Sequence, residues 1–196
     1  MAERFLFLQS TGMNPCSLDR SFRLTATWTC SGCHYPKVGV GAVDVYVQEE
    51  DPADIPLTFV SGSGVQIVHR ELLGMLEKEA VRRDLLLGRV LGPTGDVLND
   101  WVTVRGRRRV VVRGSQHVAH RECRECGRHV YYADGPKYLF PAPASDAAIF
   151  ESNLLGLVVT DEVIALARMK PWAKLAVEEL AVAAQPRDGL GDFQTG

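Results

Sequence analysis

No stretch of the sequence announces export or a membrane. The start, Met1-Ala2-Glu3-Arg4-Phe5-Leu6-Phe7-Leu8, sets four consecutive large apolar residues behind an acidic one, too short a run for a signal-peptide core or a spanning helix. A cytoplasmic protein without membrane contact is expected. Net charge is also scarce: 22 Lys and Arg against 24 Asp and Glu leave −2, with a pI near 6.2, which gives no global reason to bind nucleic acid or anionic lipid. Catalytic signatures are missing too. There is no Gly-x-Ser-x-Gly, no His-Glu-x-x-His and no phosphate loop; Ser61-Gly62-Ser63-Gly64 lacks the Lys-Ser/Thr ending and reads as a linker. Cysteine is limited to five residues, an odd number that does not suggest a disulfide framework. Cys16, in a turn-rich segment with Gly12, Asn14 and Pro15, reads as an idle thiol.

The other four cysteines are paired: Cys30-Ser31-Gly32-Cys33 and Cys123-Arg124-Glu125-Cys126. Two Cys-x-x-Cys turns in one chain form the pattern of a tetrahedral four-thiolate zinc site. Because 89 residues lie between Cys33 and Cys123, such a site would clasp distant parts of the chain. His117-x-x-His120-x-x-Cys123-x-x-Cys126 is a rival local ligand set, but it would orphan the first pair, so the four-cysteine set is preferred. His34 and His129, just past the turns, are read as outer-shell or surface groups. Four cysteines close the coordination shell, whereas a catalytic zinc keeps a position open. Neither pair follows a proline, as zinc deaminases require, and both are expected between strands rather than at the strand-to-helix junction of thiol redox chemistry. The reading is a structural zinc in a protein that is not an enzyme.

The rest of the chain fits one domain of ordinary composition, 46% hydrophobic and 23% charged. Phe5 to Leu8 reads as a buried strand. Ser21 to Trp28 alternates like a half-buried strand, and Val38 to Val47 is β-branched enough to return from the first turn. Glu49, Glu50, Asp51 and Asp54 form an acidic loop around Pro52 and are the candidate partner-binding residues. Val68 to Arg83 has helical periodicity, with His69 as a capping or surface residue. Gly92 to Asp96 is a turn. Trp101 to Val104 and Arg109 to Arg113 are predicted to form a hairpin with an arginine-rich tip, Arg105 to Arg108, which suggests an alternative role in nucleic-acid contact. Val118 to Cys126, Val130 to Tyr132 and Lys137 to Phe140 read as strands. Thr160 is a plausible N-cap for a second helix through Ala167, ended by Pro171. Trp172 to Ala184 stays open between helix and edge strand, and residues 185–196 read as a flexible tail.

On these residues the chain resembles the double-CxxCG motif family, which includes SitI-type bacterial immunity proteins. The likeness rests on a strand leading to Cys30-x-x-Cys33, a long middle segment, the Cys123-x-x-Cys126-Gly127-Arg128 turn, whose Cys-x-x-Cys-Gly match is complete, and the stretch from Ile149-Phe150 to Val163, and spans roughly residues 1 to 182. The first turn departs from it, with His34 where the family has glycine. The resemblance implies a protein that binds and neutralises a cognate antibacterial toxin, with zinc stabilising the scaffold. The expected architecture is an α+β domain over residues 1–184. It has a mixed or antiparallel sheet, two main helices and a zinc-ribbon-like site made of turns 29–35 and 122–129, and it is monomeric when free.

Overall fold

The computed structural model describes residues 4–11, 27–37, 40–48, 55–60, 64–143, 146–164, 172 and 174–190. Among them the molecule is mostly sheet. Twelve strands are β1 (Phe5–Ser10), β2 (Val45–Tyr46), β3 (Leu57–Phe59), β4 (Gln66–His69), β5 (Leu85–Leu91), β6 (Val97–Gly106), β7 (Arg109–Val110), β8 (Val112–Glu122), β9 (His129–Leu139), β10 (Ile149–Ser152), β11 (Gly156–Thr160) and β12 (Leu175–Val182). A seven-stranded sheet has the order β7-β10-β11-β1-β12-β9-β8, and a five-stranded sheet the order β2-β5-β6-β4-β3. Both mix parallel and antiparallel pairs, as expected.

The apolar run that opens β1 explains its central position. Leu6 and Leu8 face one side and Phe7 the other, all at most 5% exposed, so only a strand covered on both faces satisfies them. Leu6 and Leu8 join Leu57, Val68, Val102, Val104, Leu157 and Val159 in the cluster that glues the two sheets together. Phe5 and Phe7 pack on the outer side with Val112, Leu139, Phe150 and Leu180. The far side of the smaller sheet is filled by Val45, Ile67, Val90 and Trp101.

Helix is far scarcer than the expected two main helices. The single helix read over Val68 to Arg83 is a strand end followed by two short helices, α1 (Arg70–Leu73) and α2 (Lys78–Asp84). Capping divides them. The His69 ring accepts from the Glu71 N–H, so its expected capping role holds; Gly74 ends α1, and Glu77 starts α2 by accepting from Glu79 N at 2.9 Å and Ala80 N at 2.6 Å. The second predicted helix begins only as a 3-10 turn, Asp161–Val163, and Thr160 makes no side-chain cap there. Ile164 is already extended and bridges Leu76, because its side chain is drawn into the inter-sheet core. Residues 165–171 lie outside the described residues.

Other departures concern β structure. Thr27 and Trp28, the described end of the segment read as a strand, are helical. Among the described residues of Val38 to Val47, 40–47, Val45 and Tyr46 alone pair as a strand. The open segment after Trp172 resolves as strand β12, seated between β1 and β9 rather than at an edge. The arginine-tipped hairpin does not form: β6 belongs to the smaller sheet, while β7 pairs with β10 and β8 with β9. The chain crosses between sheets there, and two of the arginines bind Glu151, Arg105 Nε at 3.0 Å and Arg109 Nη2 at 2.7 Å. The expected loose tail also differs over its described part. Asp188 is buried, and its carboxylate accepts from Arg113 Nε at 2.7 Å and from the Tyr131 hydroxyl at 2.9 Å. No described helix is long and apolar enough to cross a membrane.

Candidate metal centre

The two cysteine turns repeat one backbone design. In the first, Cys30 N–H donates to the Tyr35 carbonyl and His34 N–H to that of Cys30; in the second, Cys123 N–H donates to Arg128 and Gly127 N–H to Cys123, all at 2.8 or 2.9 Å. Each turn is closed by antiparallel pairing, Thr29 with Pro36 and Glu122 with His129. The second therefore caps the β8–β9 hairpin, and among the described residues the first is held by an isolated bridge rather than by paired strands. The fifth residue of each turn is left-handed, His34 at φ 61° and Gly127 at φ 69°. The geometry that glycine supplies freely is thus imposed on a histidine in the first turn.

The turns face each other and bring together the four predicted sulfurs. Cys30 Sγ lies 3.7 Å from Cys123 Sγ, and Cys33 Sγ 3.7 Å from Cys126 Sγ; all four fall within 4.8 Å of one another. A disulfide needs about 2.05 Å, so these are separate thiols. Four thiolates at about 2.3 Å from a central Zn²⁺ would stand about 3.8 Å apart along the tetrahedron's edges. The observed spacing thus fits a tetrathiolate metal site. Cys30, Cys33 and Cys123 are buried, and Cys126 is exposed.

The surroundings suit thiolates. Gly32 N–H points at Cys30 Sγ from 3.4 Å. Backbone N–H groups of Cys33 and Gly32 lower the Cys30 thiol to about 6, whereas burial pushes Cys33 up to about 12 and raises Cys126. A cation must displace the protons held by the raised thiols, which couples metal binding to pH. Gly32 packs closely under the second turn: a Cβ there would meet Glu125 Cγ at 2.7 Å and Cys123 Sγ at 3.1 Å, so the exposed Glu125 side chain and the sulfur would both have to shift.

A residue read in the sequence only as the end of the second turn, in Cys123-x-x-Cys126-Gly127-Arg128, ties the turns together. Arg128 is buried, donates from Nη2 to the Pro36 carbonyl at 2.9 Å and stands 5.4 Å over the Tyr35 ring. Its guanidinium also interacts electrostatically with Cys33. Its position one residue after Gly127 was visible, but its partner lies 92 positions away, and no local pattern signals such a contact. Of the rival ligands, His120 Nε2 lies 2.8 Å from His129 Nδ1, with the rings stacked, so His120 is engaged by a histidine; the His117 side chain lies outside the described residues. Cys16, Glu49, Glu50, Asp51 and Asp54 also lie outside them, and the acidic surface receives no structural placement.

Arg113, fully buried against Asp188, and the Arg105–Arg109–Glu151 cluster show that much of the local basic charge is turned inward. Arg107, Arg108, Arg121 and Arg124 remain exposed. Compared with family models, with curated proteins and with solved structures, the chain gives no match in any of the three.

Proposed function

We propose that this chain is a non-catalytic binding protein whose scaffold is closed by a structural zinc, and that it serves as an immunity protein against a cognate antibacterial toxin. The carrying observation is the meeting of two like turns at four sulfurs. A Zn²⁺ held by all four thiolates has no open position for water or substrate, so its contribution is to folding free energy. Cys30, Cys33, Cys123 and Cys126 are the ligands, in a zinc-ribbon-like pairing of distant turns. The toxin-binding role rests on the resemblance to the double-CxxCG family, with Glu49, Glu50, Asp51 and Asp54 as the surface offered to a basic toxin cleft by charge complementarity. The nucleic-acid alternative loses support from the inward engagement of Arg105, Arg109 and Arg113.

The test is co-expression with the toxin encoded beside this chain. The parent protects the cell, and the complex co-purifies with one zinc per chain. Absence of protection removes the immunity reading, and absence of zinc from metal analysis removes the structural-metal reading separately.

A further inference from the structure

Beside the cysteine turns lies a cleft of about 190 Å³, lined among others by Tyr35, Tyr131, Tyr132, Lys137, Asn153 and Leu155. Tyr35, Tyr131, Asn153 and Leu155 also line a smaller recess of about 20 Å³, whose wall includes Arg109 and Arg128. The two spaces adjoin, and Asn153 stands at their junction. Its Oδ1 accepts the Val112 N–H at 2.7 Å, which fixes the amide plane. Its Nδ2 is buried with no hydrogen-bond partner among the described residues. A buried donor left unmade costs about 1–3 kcal/mol, so the position favours whatever brings it an acceptor. The neighbouring Leu155 is left-handed at φ 56°, a conformation that costs a non-glycine residue roughly 1–3 kcal/mol and clusters at ligand sites.

The walls differ in chemistry from one end to the other. The inner end holds the unpartnered Asn153 amide N–H and has positive charge in its wall, where Arg109 is paired with Glu151 and Arg128 donates to the Pro36 carbonyl. Glu151 lines it too, but already accepts from Arg105, Arg109 and the Gly106 N–H. The outer end is tyrosine ring and leucine, and its Lys137 is bound to Glu178. Tyr132 keeps 53% of its surface exposed. A ligand complementary to both ends has acceptor oxygens on a flat apolar body. An apolar cavity of about 150 Å³ accommodates one benzene, so a solvent-open cleft of about 190 Å³ has room for one substituted ring.

We propose that this cleft binds a small aromatic carboxylate, one oxygen accepting from Asn153 Nδ2 and its charge held in the field of Arg109 and Arg128, while its ring lies among Tyr35, Tyr131 and Tyr132. The proposal is independent of toxin binding. It is tested by titrating the zinc-loaded full chain with benzoate and 4-hydroxybenzoate, followed by tyrosine fluorescence and amide NMR shifts. One saturable site is expected, with benzamide and acetate each binding roughly tenfold more weakly, since one lacks the charge and the other the ring. Asn153→Asp keeps the oxygen that accepts from Val112 but replaces the free donor by a second oxygen; it is expected to weaken the acids at least tenfold at unchanged melting temperature. Tyr132→Ala, at an exposed position, weakens them severalfold and supplies the test if the aspartate variant does not fold. Failure of both acids to saturate, equal binding of acetate, or full affinity in both variants would overturn the proposal.

Discussion

Arg128 Nη2 reaches the carbonyl of Pro36 at 2.9 Å, so the second cysteine turn is fastened to the first by a guanidinium as well as by sulfur. Partners of this kind around a metal site typically change its affinity 10- to 100-fold. Arg128→Met, which keeps the apolar stem but loses the donor, is expected to weaken zinc by about that factor in competition with a chromophoric chelator. Arg128→Lys should recover part of the loss by keeping the charge.

Removing one thiolate tests the ligand set itself. Cys30→Ser is expected to purify with no stoichiometric zinc and to melt well below the parent, since metal binding to such sites is folding free energy. His120→Ala should retain the metal. Zinc kept by the serine variant and lost by the alanine variant would transfer the site to the histidines. Cobalt substitution gives a second readout, because a tetrahedral tetrathiolate has an intense visible spectrum that changes when one sulfur is replaced.

His34 occupies a left-handed position at φ 61°, in a turn whose twin carries glycine. His34→Gly is therefore expected to stabilise the zinc-loaded protein by roughly 1 kcal/mol, or about 2–4 °C in melting temperature for a chain of this size. A β-branched residue there, His34→Val, should shift it the opposite way. Equal melting temperatures for all three would show that the turn relaxes without strain.

Asp188 belongs to the segment that composition marks as a tail, yet it is paired with Arg113 at zero side-chain exposure for both. Breaking one side of a buried pair costs about 3–5 kcal/mol, so a chain truncated after Ala184 and the point variant Asp188→Ala should lose similar amounts in urea unfolding. A truncated chain as stable as the parent would reduce this contact to ornament.

The same carboxyl sets an acid limit. Burial raises the Asp188 pKa, but hydrogen bonds from Arg113, Leu190 N–H and Tyr131 outweigh it and hold it below the usual carboxylate range. A depressed folded-state pKa contributes stability that is present above the unfolded value, about 3.9, and is lost as pH falls through the folded one. Unfolding free energy measured from pH 6 downward should drop more steeply in the parent than in Asp188→Asn, and the gap between them should narrow in acid.

Elements whose signal is local were readable from the chain. The Phe5 to Leu8 run, the Gly92 to Asp96 turn, the His69 cap and both Cys-x-x-Cys turns each carry their cause within a few residues. Helix periodicity misled where tertiary contacts decide: Leu72, Leu73, Leu76 and Ala80 do all face the core, but through two separately capped short helices. Ile164 extends because Leu76 offers it a bridge. Arg109 and Arg113 resembled a solvated hairpin because their carboxylates, Glu151 and Asp188, lie 42 and 75 positions away. Long-range partners have no periodicity, so Arg128, Glu151, Asn153 and Asp188 could not be assigned from spacing.

The placement of β1 between β11 and β12 also sets a timetable for biosynthesis. A ribosome adding about 5–20 residues per second releases Phe5 to Ser10 on the order of ten seconds before it makes the two strands that flank them. Throughout that interval a ribbon of phenylalanine and leucine lacks both of the strands it pairs with, and the Cys30 turn waits likewise for Cys123. Nascent copies are therefore most exposed to chaperone capture and to mispairing with one another while the middle of the chain is still being made.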